Sequence, residues 1–270
     1  LSCNAWDSHV AAGTTETPFE IHLPNLLEPW FSVKDYGLGL AHDDVMNLYT
    51  TYFDSTKTDS NDMIGALGLG SKSPFSYVDQ FPVESRFNGT KSIYSAYISD
   101  DDIPCISLVA HNQTSEPNGL TIQLPAKETD FKVFENKVAE FFTRWSKKPK
   151  VTGINTFKFD EIKYILEGKN WKVRDTKDFW NSKYKHNLLT TSTKVFAIQG
   201  NVAYPIQNVD ILTDEDAKVI CNLPVDIMFN IGELDVQASR EGLSYKKETK
   251  ENIKIKLYQV YNEINKELEK

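Results

Sequence analysis

The order of apolar and polar residues divides the chain into segments of two rhythms. LSCNAWDSHVAA (1–12) sets Leu1, Ala5 and Val10–Ala12 near one helical face, with no capping residue ahead of them. FEIHL (19–23) alternates as a half-buried strand does, and WFSVKDYG (30–37) follows the turn PNLLEP. Side chains of a strand point alternately to its two faces, so Phe31, Val33 and Asp35 share one. A carboxylate aimed the same way as two core residues needs a designated donor, because burying it without a partner is costly. AHDDVMNLYTTYF (41–53) predicts a helix begun by an aspartate cap, and SPFSYVDQF (73–81) resumes helical spacing. Four strand-like runs follow: FPVESRF (81–87), SIYSAYIS (92–99), CISLVAH (105–111) and GLTIQL (119–124). The tight turns Asn88-Gly89 and Asn118-Gly119 between them predict antiparallel hairpins.

FKVFENKVAEFFTRWSKKP (131–149) reads as an amphipathic helix with Phe131, Phe134, Val138, Phe141 and Phe142 on one side. Its basic end and Pro149 mark a domain boundary. Beyond it lie the short strands FKFDEI (157–162), KVFAIQG (194–200), VAYPI (202–206) and DIMFNIG (226–232), two or three helices, and the closing helix ENIKIKLYQVYNEINKELEK (251–270). No internal repeat or low-complexity tail interrupts the pattern. The fold class is therefore α+β in two domains, residues 1–128 and 150–270, joined by a connecting helix over 129–149.

Composition narrows the classes of function. Apolar residues make up 40% of the chain and aromatics 12%, enough for a real core. No run reaches the length of a membrane-spanning helix, and no signal-peptide pattern opens the chain. A formal net charge of -8 repels a phosphate backbone, which argues against sequence-blind nucleic-acid binding. Cys3, Cys105 and Cys221 lie far apart, as buried thiols in a reducing compartment would. Asn88 and Asn112 match the glycosylation tripeptide, but such matches are common by chance and nothing else looks secreted. The five histidines (His9, His22, His42, His111, His186) have no metal-ligand spacing, although His9 is a candidate for lining a pocket.

GALGLGSKSPF (65–75) is the densest glycine segment and could cradle phosphate. It is not a P-loop, because Ser71 rather than glycine precedes Lys72. Nor is it a dinucleotide fingerprint, since Ser73 occupies the last glycine position counted from Gly68. Two further motifs precede it. Asn4 and Asp7 stand three apart on the first helix and so project from one face. Asp35-Tyr36-Gly37-Leu38-Gly39 ends the second strand.

In this order and spacing the three motifs resemble the Bergerat (GHKL) ATPase superfamily, which includes gyrase, the ninety-kilodalton heat-shock chaperone, sensor histidine kinases and MutL. The resemblance implies a Bergerat α/β sandwich followed by a ribosomal-S5-domain-2-like α+β domain, with ATP and Mg²⁺ as ligands. By that resemblance Asn4 binds the metal, Asp35 accepts the adenine amino hydrogen, and Gly37 and Gly39 let the backbone approach the base. Asp7 supports the pocket floor. Gly65, Gly68, Leu69, Gly70, Ser71 and Lys72 form a lid whose N–H groups wrap the phosphates. ELDVQASREGLSY resembles the chaperone segment that carries a γ-phosphate arginine, which assigns that role to Arg240. NAWDSHVAAG, YFDSTKTDSNDMIGALGLGSKSPFSY and IGELDVQASREGLSY further resemble the rIIA rapid-lysis, lysis-inhibition family of T-even-type bacteriophages. That family is implicated in protecting the infected cell from premature lysis.

The resemblance implies an ATP-dependent switch in the cytoplasm of an infected bacterium, or peripheral to its inner membrane. It also implies a homodimer formed on ATP binding and a phage or host protein partner. The superfamily's general base is a glutamate immediately before the position of Leu1, so an upstream segment is expected and hydrolysis depends on it. A non-hydrolysing scaffold that keeps the nucleotide fold is the alternative. Gly119-Leu120-Thr121-Ile122 matches the family's site-closing strand only with threonine displaced by one, and Thr121 receives no role.

Overall fold

A computed structural model describes residues 1–50, 73–175, 195–206, 219–237 and 242–268. The class is α+β, as the sequence predicts. The chain forms two compact units, Leu1–Glu135 with Lys147–Phe157, and Asn136–Ser146 with Lys158–Lys270.

In the first unit α1 (Ser2–Ala12) precedes β1 (Glu20–His22), β2 (Trp30–Lys34) and α2 (His42–Thr50). Then come β3 (Gln80–Phe87), β4 (Thr90–Ile98), β5 (Pro104–Gln113), β6 (Gly119–Pro125) and, after α3 (Phe131–Phe142), β7 (Lys150–Thr152). The seven strands are ordered β5-β4-β3-β6-β2-β1-β7, antiparallel except for the parallel pair β1–β7. One sheet face carries the core: Phe81, Val83, Tyr94, Ala96, Ile106, Ile122 and Leu124 pack with Val45 of α2. Fully burying such side chains contributes about 1.5–3 kcal/mol each, so this face holds the unit together.

Asn88 and Gly89 take the two positive φ angles (48° and 76°) of a tight hairpin turn joining β3 to β4, as expected. Asn118-Gly119 makes no hairpin. β6 leaves β5 and inserts between β3 and β2. The reason is burial: Ile122 and Leu124 need a central position, whereas β5 exposes Leu108 and Val109 at the sheet edge. Ser73–Ser76 is a single 3₁₀ turn rather than the expected helix.

α3 stops at Phe142, short of the expected end near Pro149, and Phe141 is 38% exposed while Phe142 is buried. Adjacent helical residues sit about 100° apart, so both rings cannot face one core. β7, assigned by the sequence to the second domain, pairs with β1 of the first. Cys3, Cys105 and Cys221 are half-buried rather than buried, and none forms a disulfide.

The second unit holds β8 (Tyr164–Glu167), β9 (Trp171–Arg174), β10 (Phe196–Gln199), β11 (Val202–Pro205) and β12 (Val225–Phe229), ordered β11-β10-β12-β9-β8, with α4 (Lys247–Leu268). FKFDEI is not a strand, and the β8–β9 hairpin beyond it was not expected. α4 buries Ile253, Leu257, Val260 and Ile264, one stripe at helical spacing. Trp171 Nε1 donates to Glu263 Oε2 of that helix at 2.6 Å. Asp226, 1% exposed, accepts from Arg144 Nε at 2.9 Å and from the Tyr164 hydroxyl at 3.0 Å, and lies 3.1 Å from Arg174 Nε. Burial pulls the Arg174 guanidinium down to about 10. No helix among the described residues is long and apolar enough to cross a membrane.

Candidate functional site

Asp35 stands one residue past β2, on the face of Phe31 and Val33, and is 5% exposed. Its N–H donates to Leu120 O at 2.8 Å, continuing the β2–β6 ladder. Its carboxylate is held on one side only. Oδ1 accepts from Gly37 N–H at 3.0 Å and from Leu120 N–H at 3.2 Å, while Oδ2 accepts no hydrogen bond from the described residues. The designated donors are thus backbone amides rather than a cation. Burial pushes the carboxyl above the usual aspartate range, and the two amides, with the charge of Arg86, pull it back only in part. Hydrogen bonds to a charged group are worth about 1.5–3 kcal/mol each, less than desolvation costs a carboxylate with one oxygen unmet.

The turn after Asp35 is fastened to α1 and β3. Tyr36 N–H donates to His9 Nε2 at 2.8 Å, and His9 Nδ1 lies 3.2 Å from Thr14 O. Because Nε2 accepts, the neutral ring carries its proton on Nδ1. Thr14 Oγ1 donates to Tyr36 O at 3.2 Å, and Leu38 N–H donates to Ser8 Oγ at 3.1 Å. Leu40 exchanges two bonds with Ser85 Oγ, at 3.0 and 2.7 Å. A Cβ on Gly37 would lie 2.0 Å from Ser8 Oγ and 2.5 Å from the Ser8 carbonyl carbon. Gly39 has φ +67°, and its Cβ would meet Arg86 O at 2.1 Å. Both glycines are therefore required by close packing of backbone on backbone.

On α1, Asp7 is fully buried and Asn4 is half-buried. Asn4 lies one turn before Ser8 on the same helical row, about 6 Å along the axis from the residue that touches the turn. The side-chain oxygen of Asn4 suits a hard cation such as Mg²⁺, which prefers oxygen ligands and retains water. Among the described residues no cluster of three or more His, Cys, Asp or Glu could hold a metal.

Gly65, Gly68, Leu69, Gly70, Ser71, Lys72 and Arg240 lie outside the described residues. The flanks of the Arg240 segment meet, with Gln237 N–H donating to Gly242 O at 3.0 Å.

Thr121 pairs with Lys34 and Glu84, and its hydroxyl accepts from Arg86 Nη1 at 2.9 Å. It therefore faces away from Asp35, and Leu120 takes the place opposite the carboxylate. Arg86, Ser8, Ser85 and Leu120 were not singled out in the sequence. Only the intruding arginine in the strand run FPVESRF carried any signal.

No family model matches the sequence, and no curated protein matches it. The structure is similar to the ATPase region of Saccharomyces cerevisiae topoisomerase II, at 14% identity and a TM-score of 0.57, with 98% of this chain and 83% of that one covered. It is similar also to that region bound to ICRF-187 (dexrazoxane), at 14% identity and a TM-score of 0.60, covering 97% of this chain and 84% of that one. The chain shares the mixed α+β fold of that topoisomerase II region.

Proposed function

We propose that this chain binds Mg·ATP and acts as a nucleotide-dependent conformational switch. One observation carries the reading: a buried carboxylate whose Oδ1 is fixed by two backbone amides and whose Oδ2 has no partner among the described residues. Such an oxygen is an acceptor held ready for a donor from outside the protein, and the exocyclic amino group of adenine is such a donor. Gly37 and Gly39 keep side chains from the turn beside it. Asn4 would hold the metal, Asp7 would support the pocket floor, residues 65–72 would wrap the phosphates, and Arg240 would contact the terminal phosphate. Mg²⁺ neutralises phosphate charge when bound.

ATP hydrolysis is part of this proposal, the alternative being a scaffold that keeps the nucleotide fold without turnover. The narrower reading, an rIIA-type role in lysis control with homodimerisation, a phage or host partner and a cytoplasmic or inner-membrane-peripheral location, rests on the sequence motifs alone.

Calorimetric titration with Mg·ATP tests the site. Asp35→Asn keeps an oxygen for the two amides but places N–H where Oδ2 stood, facing the adenine amino group. Affinity for ATP is expected to fall by about 100-fold or more, and ITP, which offers an acceptor there, is expected to gain on ATP. Equal binding of ATP by wild type and Asp35→Asn would remove the basis for the reading. Arg240→Ala in the same titration should weaken ATP and leave ADP unchanged.

A further inference from the structure

The β2–β6 ladder contains an exchange that concerns Arg86. In a regular antiparallel pair, Leu120 N–H would return the bond it receives and donate to the Asp35 carbonyl. Here that N–H goes to Asp35 Oδ1 instead, and Arg86 Nη2 donates to the Asp35 carbonyl at 2.9 Å. The guanidinium thus replaces the partner that the carboxylate has taken.

Its other bonds fix it there. Nε donates to Pro117 O at 3.2 Å, and Nη1 donates to Glu84 Oε1 at 2.7 Å and to Thr121 Oγ1 at 2.9 Å. The side chain is 0% exposed. Gly119 leaves room for it, since a Cβ there would sit 2.1 Å from Asp35 O and 2.8 Å from Arg86 Nη2. Neutralising Glu84 and Glu116 would require only a positive charge, which lysine supplies. Donating at fixed angles to two backbone carbonyls as well as to Thr121 requires the planar fork.

Resting on the proposed purine site, we infer that Arg86 is a positioning residue for base selectivity. By occupying the Asp35 carbonyl it leaves the Leu120 amide for Oδ1, and so turns Oδ2 toward the ligand. When the fork is lost, Leu120 N–H returns to the Asp35 carbonyl and the carboxylate is released from one of its two amides.

The test compares Arg86→Lys and Thr121→Val with wild type. It uses Mg·ATP and Mg·ITP titrations, and amide exchange at Gly37 and Leu120 in the ligand-free protein. The expected result for Arg86→Lys is a tenfold or greater loss of ATP affinity, a collapse of the ATP-to-ITP preference, and faster Gly37 exchange. Thr121→Val loosens Nη1 without unpairing a charge, and should move the preference the same way by a smaller factor. It carries the test if Arg86→Lys does not fold. A merely structural arginine would weaken both nucleotides equally, and an unchanged preference in the folded variants overturns the inference. If wild type binds neither nucleotide, the purine reading fails by itself. The exchange data then judge the clamp, and unaltered Gly37 exchange overturns it.

Discussion

At the residue scale the controlling quantity is the protonation state of Asp35. Its carboxyl is raised by burial, so the native protein keeps this proton at a pH where the unfolded chain has released it. Fewer protons on the unfolded state mean that stability falls as pH rises through that window. Ionising Asp35 therefore costs stability, and Asp35→Asn is expected to melt no lower than wild type while losing ATP. Binding runs the other way. An amino donor needs the ionised carboxylate, so ATP affinity should be full above the raised value and fall about tenfold per pH unit below it. Titrations across pH 4–8 check this, and the dependence should vanish in Asp35→Asn. The face on which Asp35 lies was legible from the alternation Phe31, Val33, Asp35. Its partners were not, because the Leu120 amide comes from 85 residues away and is placed by strand register.

At the element scale the site depends on how α1 and β3 grip the turn 35–40. The glycines are visible in sequence as a motif, but the reasons they are glycine come from Ser8 and Arg86. Gly37→Ala forces its Cβ against the Ser8 backbone carbon at 2.5 Å as well as the hydroxyl at 2.0 Å, so α1 must move. Overpacking of this kind costs about 1–3 kcal/mol. We expect a lower melting temperature and at least a tenfold loss of ATP affinity, neither restored by adding Ser8→Ala, since the backbone clash persists. Recovery in the double variant would mean that only the hydroxyl sets the packing. β6 teaches the same lesson. Its own alternation predicts a strand, but its place between β3 and β2 is decided by which strands need both neighbours.

At the scale of the whole molecule each of the two units has its own core, and the second contains a buried ionic cluster around Asp226. Two guanidiniums face one carboxylate there, and Arg144 and Arg174 also lie over the Phe196 ring at 4.3 and 5.0 Å. Removing the carboxylate takes from two buried cations the counter-ion they share, so Asp226→Ala should cost about 3–5 kcal/mol in urea unfolding. A change below 1 kcal/mol would mean that water reaches the cluster. The sequence alone determined the α+β class, most of the strands and helices, and the face on which the key acid lies, because these follow from the local periods of side-chain direction. It misread the extents of α3 and of the 73–76 turn, the β8–β9 hairpin and the return of β7 to the first sheet, where neighbours distant in sequence outweigh local preference. Only the tertiary structure decided that Leu120 and not Thr121 stands opposite Asp35, and that Arg86 takes over a ladder bond. Register between strands far apart in the chain is set by the simultaneous packing of all of them, and no single segment encodes it.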